Sequence, residues 1–141
     1  MKISLIDPKC EPYKAHKMDA GYDLRSNNEN FTLLPGAKIK VHTGVKVAIP
    51  PRHAGMIFPR SGLGTKFDVR LANTVGIIDA EYRGEIVVWL VNNGNTEIEI
   101  KKYDRFCQLI IVNILIDNLR IVDELDKTTR GEGGFGHTGI Q

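Results

Sequence analysis

The stretch IKVHTGVKVAIP, Ile39–Pro50, decides the fold. Apolar or β-branched residues stand at every second position, Ile39, Val41, Thr43, Val45, Val47 and Ile49. A period of two belongs to a strand with one face inward and one face wet, whereas an amphipathic helix would repeat every ~3.6 residues. TEIEIK, Thr96–Lys101, alternates the same way over Ile98 and Ile100. Further strands are expected over Lys2–Ile6, Gly55–Phe58, Glu85–Asn92, Cys107–Leu115 and Arg120–Val122. The breaks between them, LPGA, IPPR, NNGN and KYDR, carry turn chemistry. Only SGLGTKF, Ser61–Phe67, admits a helical turn, and its two glycines weaken it. Many short strands at this spacing predict an all-β protein, a distorted jelly-roll or β-barrel.

The chain has 141 residues, 42% hydrophobic and 26% charged, which suits one domain around a modest core. Its net charge of +2 comes from interspersed signs. No basic stripe is present to track a nucleic-acid polymer, so a small charged ligand is the open possibility. Cys10 and Cys107 lie far apart without metal-ligand spacing, and Cys107 falls in the apolar run FCQLIIVNIL, where it reads as core. MKISLID lacks the apolar core of a signal peptide, and no stretch approaches the ~20 apolar residues that span a bilayer. A cytoplasmic protein with reduced thiols, no targeting signal and no membrane partner is expected.

Residues 1–122 are expected to form the β domain. Residues 123–141 then hold a linker, DELDKTT, and a glycine-rich arm, RGEGGFGHTG. Gly131, Gly136, His137 and Thr138 mimic the spacing of a phosphate-binding P-loop, but only three residues follow Thr138, so no helix can receive the phosphates. The glycines then make either an inert tail or a flap that closes over a ligand. About a dozen residues beyond Val122 reach up to ~40 Å, enough to serve a site on another subunit.

Polar or glycine-rich clusters interrupt the strand pattern at DAGYDLRS (from Asp19), PRSGLGTK (from Pro59), NTVGIIDAEYRG (from Asn73), RFCQ (from Arg105) and the arm. PRSGLG joins a guanidinium, a hydroxyl and permissive backbone N–H groups, and reads as an anion site or as a surface turn. GIIDAEYRGEIVVW reads as two strands joined by a hairpin, with Asp79 near the tip and Gly84 permitting the return. An aspartate in that place ordinarily caps its turn.

In order and wording these five clusters closely resemble the five motifs of the trimeric dUTPases, the deoxyuridine triphosphate nucleotidohydrolases, from Ala20 to Gly139. The resemblance implies Mg²⁺-dependent hydrolysis of dUTP to dUMP and pyrophosphate by a homotrimer with shared active sites, limiting uracil in DNA and supplying dUMP for thymidylate synthesis. It implies that Asp79 orients and activates the attacking water, and that Tyr82 packs under the deoxyribose, where a 2′-hydroxyl would collide with it. Asn73, Gly76, Ile77, Ile78 and Val87 would form the uracil and sugar pocket. Arg60, Ser61, Gly62 and Gln108 would hold the phosphate chain. Asp23 would accept a hydrogen bond from a metal-bound water, or else hold Arg25. From the arm, Arg130, His137 and Thr138 would contact phosphates, with Phe135 and Gly136 over the base; His137 fits a neutral phosphate donor or a spectator.

Two other readings are weighed against this one. A dCTP deaminase shares the fold, but its catalytic glutamate would fall at Trp89, and Glu85 is offset. A nucleotide-regulated protein-binding role is the second, and intact Asp79, Tyr82 and arm argue against a dead scaffold without excluding a second task.

Overall fold

The computed structural model describes residues 1–134. Their strands are β1 (Lys2–Leu5), β2 (Tyr22–Arg25), β3 (Phe31–Leu33), β4 (Lys38–Ala48), β5 (His53–Pro59), β6 (Val69–Leu71), β7 (Gly76–Ile78), β8 (Glu85–Asn92), β9 (Ile98–Ile100) and β10 (Arg105–Asn113). A short helix, α1 (Ser61–Phe67), follows β5. One four-stranded sheet has the order β1-β4-β8-β6, a second β2-β10-β5-β7, and β3 pairs with β9 alone. Every strand pair in these sheets is antiparallel. This is the all-β jelly-roll architecture expected from the alternation. Among the described residues no helix is long and apolar enough to cross a membrane.

The inward file of β4, Val41, Thr43, Val45 and Val47, is buried, as are Ile86, Val88 and Leu90 of β8. Leu24, Ile57, Phe106, Cys107 and Leu109 of the second sheet join them in one core. Removing each such apolar side chain from water contributes about 1.5–3 kcal/mol, which makes this core the main source of stability.

Two irregularities shape the sheets. Between His42 and Lys46, β4 advances four residues while β8, from Val87 to Glu85, moves two. Because the excess is even, the residues on either side of it keep the same inward face. Gly44 occupies the gap with φ of +69°, and Thr43 Oγ1 donates to the carbonyl of Ile86 at 2.7 Å. In β10, Arg105 and Cys107 oppose Arg25 and Leu24, so Phe106 is one extra residue. That odd excess reverses the facing of everything beyond it.

The structure corrects two expectations. Gly76–Ile78 and Glu85–Asn92 are strands but not a hairpin: β7 pairs with β5 in one sheet, and β8 with β4 and β6 in the other. The Asp79–Gly84 segment therefore crosses between sheets. Arg120–Val122 is not a strand, because no other described strand lies beside it to complete a ladder. β10 ends at Asn113, and the chain then exposes Leu115, Ile116, Leu119, Ile121 and Leu125.

Asn92 is fully buried at the end of β8. Its Nδ2 donates to the carbonyls of Leu33 and Thr96 at 2.9 and 2.8 Å, and its Oδ1 accepts from Gly94 N–H at 2.9 Å. Asn92→Ala strands the buried Leu33 carbonyl and should cost about 2–3 kcal/mol. The expected result is a lower urea midpoint with an unchanged slope. Burial pushes the thiols of Cys10 and Cys107 up, Cys107 strongly. Neither should react with a thiol reagent at neutral pH in the folded protein, and both should react once it is unfolded.

Candidate active site

In a regular strand Arg105 and Gln108, three residues apart, would face opposite ways. The extra residue at Phe106 brings both onto the outer face of β10, while Phe106 and Cys107 are both buried. Asp23 of β2 pairs directly with Gln108. Arg60 arrives from the end of β5, its backbone N–H donating to the Phe106 carbonyl at 3.1 Å. Asp23 Oδ2 then accepts from Arg60 Nε and from Arg105 Nη1, both at 3.2 Å. These four side chains line a cleft of about 360 Å³.

Two guanidiniums meet here beside Asp23, with Asp19 also lining the cleft, so its fitness for an anion with several oxygens rests on forked N–H donors rather than on net charge. Asp23 Oδ1 keeps no hydrogen bond among the described residues, and Ser61 and Gly62 open α1 exposed to solvent just beyond Arg60. The expectation that Asp23 holds Arg25 is not met. Arg25 donates to the Tyr103 carbonyl at 3.0 Å, and Asp23 is taken by Arg60 and Arg105. Arg105 itself, stacked 4.7 Å from the Tyr13 ring centre, was named in sequence only as part of a motif. Its orientation depends on a bulge that no local sequence signal marks.

A second cleft, about 220 Å³, opens where β7 and β8 diverge into separate sheets. Asn73, Gly76, Ile78 and Val87 line it, Ile57 and Leu71 lie beneath, and Trp89 and Lys38 form its rim. Drug-sized ligands usually occupy ~300–1,000 Å³, so this space suits a single ring with part of a sugar. Ile77 alternates outward and is 55% exposed, so only its backbone can serve the cleft. Lys38 Nζ sits 5.1 Å from the centre of the Trp89 ring. Sequence reasoning placed Trp89 only as a position where a glutamate is missing.

The Asp79–Gly84 segment leaves the cleft from β7. Tyr82 N–H donates to the Asp79 carbonyl at 3.1 Å, and the Tyr82 hydroxyl to the Glu85 carbonyl at 2.8 Å. A Cβ on Gly84 would overlap the Tyr82 ring, so glycine there lets the ring lie against the chain. Asp79 is exposed, lines neither cleft, and its carboxylate has no hydrogen-bond partner among the described residues. Arg130 lies away from both clefts, its Nε donating to the Gly133 carbonyl at 2.8 Å. Phe135, Gly136, His137 and Thr138 lie outside the described residues. No group of three or more histidine, cysteine or acidic side chains that could hold a metal ion occurs among the described residues.

Comparison with known proteins agrees with this geometry. The dUTPase family model matches residues 9–139. The deoxyuridine 5′-triphosphate nucleotidohydrolase of Alkaliphilus metalliredigens is 42% identical over 142 residues, covering 100% of this chain and 98% of that one. The enzyme of the same name from Desulfitobacterium hafniense is also 42% identical, over 94% of this chain and 89% of its own. A point variant of the Staphylococcus bacteriophage 80alpha dUTPase, solved with dUpNHpp, superposes with a TM-score of 0.88 at 30% identity, covering 99% of this chain and 98% of that one. A variant of the phage phi11 dUTPase, whose structure describes the coordination of a structural Mg(II) ion, gives 0.79 at 28% identity over 87% of this chain and 96% of that one. With the family model matching residues 9–139 and relatives 42% identical over nearly the whole chain, the protein belongs to the dUTPase family.

Proposed function

We propose that the chain hydrolyses dUTP to dUMP and pyrophosphate, and that its substrate site is assembled from the two clefts of different subunits of a homotrimer. The observation that carries this reading is the division of labour between the clefts: one brings two guanidiniums together, the other is small and lined mostly by apolar residues with Asn73 among them, and no residue lines both. A single nucleotide needs both. The exposed apolar segment from Leu115 to Leu125 supports association, since so many large apolar side chains in solvent mark an interaction surface. Residues 1–122 are read as the β domain, and 123–141 as the arm that reaches a neighbouring site.

In this reading the cleft beside β7 takes uracil, with Asn73 and the backbone of Gly76, Ile77 and Ile78 pairing with its polar edge and Val87 against the ring. Cytosine inverts part of that donor and acceptor pattern, leaving buried groups unpaired at about 1–3 kcal/mol each. Tyr82 underlies the sugar. Arg60, Gln108 and the backbone at Ser61 and Gly62 hold the phosphate chain, with Arg105 beside them. Asp79 holds a water in line with the α-phosphorus and takes its proton as the new P–O bond forms and the bond to the β-phosphate oxygen breaks. Arg130, His137 and Thr138 of the arm would add phosphate contacts, and Phe135 and Gly136 would cover the base.

The donor set bears on magnesium. In the anion cleft one oxygen of Asp23 is already engaged by two arginines and one of Asp19 by the His16 N–H at 2.8 Å, so these two carboxylates do not form a ready ligand set for an ion. The cleft fits an ion that arrives with the triphosphate and keeps its waters, Asp23 Oδ1 accepting from one of them. When bound, Mg²⁺ supplies charge neutralisation to the triphosphate and the leaving pyrophosphate.

Pyrophosphate release from dUTP, UTP, dCTP and dTTP with Mg²⁺, measured side by side, should show turnover of dUTP alone; a folded protein inert to dUTP would sink the reading. Shared sites have a sharper test. Asp79→Asn and Arg60→Ala should each be inactive, yet trimers assembled from an equal mixture should regain about a quarter of wild-type activity, because a quarter of junctions combine an intact Asp79 with an intact Arg60. Failure to regain activity in verified mixed trimers would place both residues in the same subunit's site.

A further inference from the structure

Glu85 opens β8 at the place where β4 carries its two extra residues. Its carboxylate fills that gap. Oε1 accepts from the Gly44 N–H at 2.8 Å, and Oε2 pairs with His42 Nδ1 at 2.7 Å. The Glu85 side chain is only 17% exposed and has both oxygens engaged, while His42 is 42% exposed. Gly44 is confined to glycine by its φ of +69° and by Cys10, whose Cβ and Sγ would lie 3.0 Å from an added Cβ. The grip therefore fixes the first residue of β8 against a rigid point of β4.

The main chain of Glu85 faces the other way, toward the crossing segment. Its carbonyl accepts the Tyr82 hydroxyl at 2.8 Å, and Gly84 between them lets the ring fold back without a clash. Tyr82 is 44% exposed and has no other side-chain hydrogen bond among the described residues. Its ring position is thus referred to the body of the sheet through Glu85. The first turn of the crossing segment, closed from Tyr82 N–H to the Asp79 carbonyl, is carried on the same support.

We propose that Glu85, gripped by His42 and Gly44, is a positioning residue for Tyr82 and sets how strictly the site separates 2′-deoxyribose from ribose. The inference rests on the function proposed above, in which Tyr82 underlies the sugar. Excluding one hydroxyl by steric contact requires a ring that cannot retreat, and displacements on the order of 1 Å are enough to change rates about a hundredfold. Glu85 touches no substrate in this scheme and acts only through the tyrosine.

Three substitutions separate positioning from general destabilisation. Glu85→Gln keeps the length and an acceptor for Gly44. Glu85→Asp is one methylene short of reaching both partners, and Glu85→Ala removes both bonds. In the Asp and Ala variants the ratio of kcat/KM for dUTP over UTP should fall about tenfold, mainly through gained turnover of UTP, while Gln holds it within about twofold. Amide hydrogen exchange over Asp79–Gly84 should quicken about tenfold in the Asp and Ala variants and stay near wild type in Gln. Asn92→Ala, which weakens a distant part of the fold, should leave the ratio unchanged.

A folded Asp or Ala variant with the wild-type ratio overturns the proposal, whether or not the loop exchanges faster. The exchange arm needs no nucleotide. A wild type inert to dUTP would therefore sink the proposed reaction and leave exchange to decide the clamp, with unchanged rates in the Asp and Ala variants overturning it.

Discussion

Side chains of an antiparallel strand must alternate between faces, and every working part of this molecule depends on where that rule is kept and where it is broken. In β4 it survives an insertion of two residues, so the core file runs unbroken from Val41 to Val47. In β10 a single extra residue breaks it, and Arg105 and Gln108 emerge on one face. The first departure anchors the segment that leads out of the small cleft. The second builds the cleft that holds both arginines.

The arginine cleft also shows how one carboxylate can keep two like charges close. Arg60 and Arg105 converge on one oxygen of Asp23, a carboxylate 20% exposed, which offsets part of their mutual repulsion and sets the direction of both side chains. Partial solvent access keeps the energy of such contacts small. Their value is orientation: Arg60 is held further by its Nη1 donating to the Arg105 carbonyl at 3.3 Å, and Arg105 by the Tyr13 ring.

Much of the fold was legible in the sequence because burial imposes a period, and the period can be read. The alternation of β4, the span of β8 and the core position of Cys107 all follow from it. Turn chemistry marked the borders between strands. What could not be read is which strand lies beside which: Gly76–Ile78 and Glu85–Asn92 look like a hairpin from their spacing, yet pairing with β5 and β4 draws them into separate sheets. The strand expected at Arg120–Val122 failed for the related reason that a strand needs a neighbour, and local composition does not supply one. The motifs named Arg60, Gln108 and Asp23, but the convergence of Arg60 and Arg105 on Asp23 rests on a bulge, and the bridging role of Glu85 on a mismatch between two strands distant in sequence.

The rim of the small cleft has one more consequence. Trp89 is the single tryptophan of the chain, 46% exposed, with a lysine ammonium over its ring. Indole emission responds to water and to nearby charge, so the molecule carries one optical reporter at the mouth of the space where a base would enter. Occupancy of that cleft can therefore be followed in the unlabelled protein, separately from any chemistry at the phosphates.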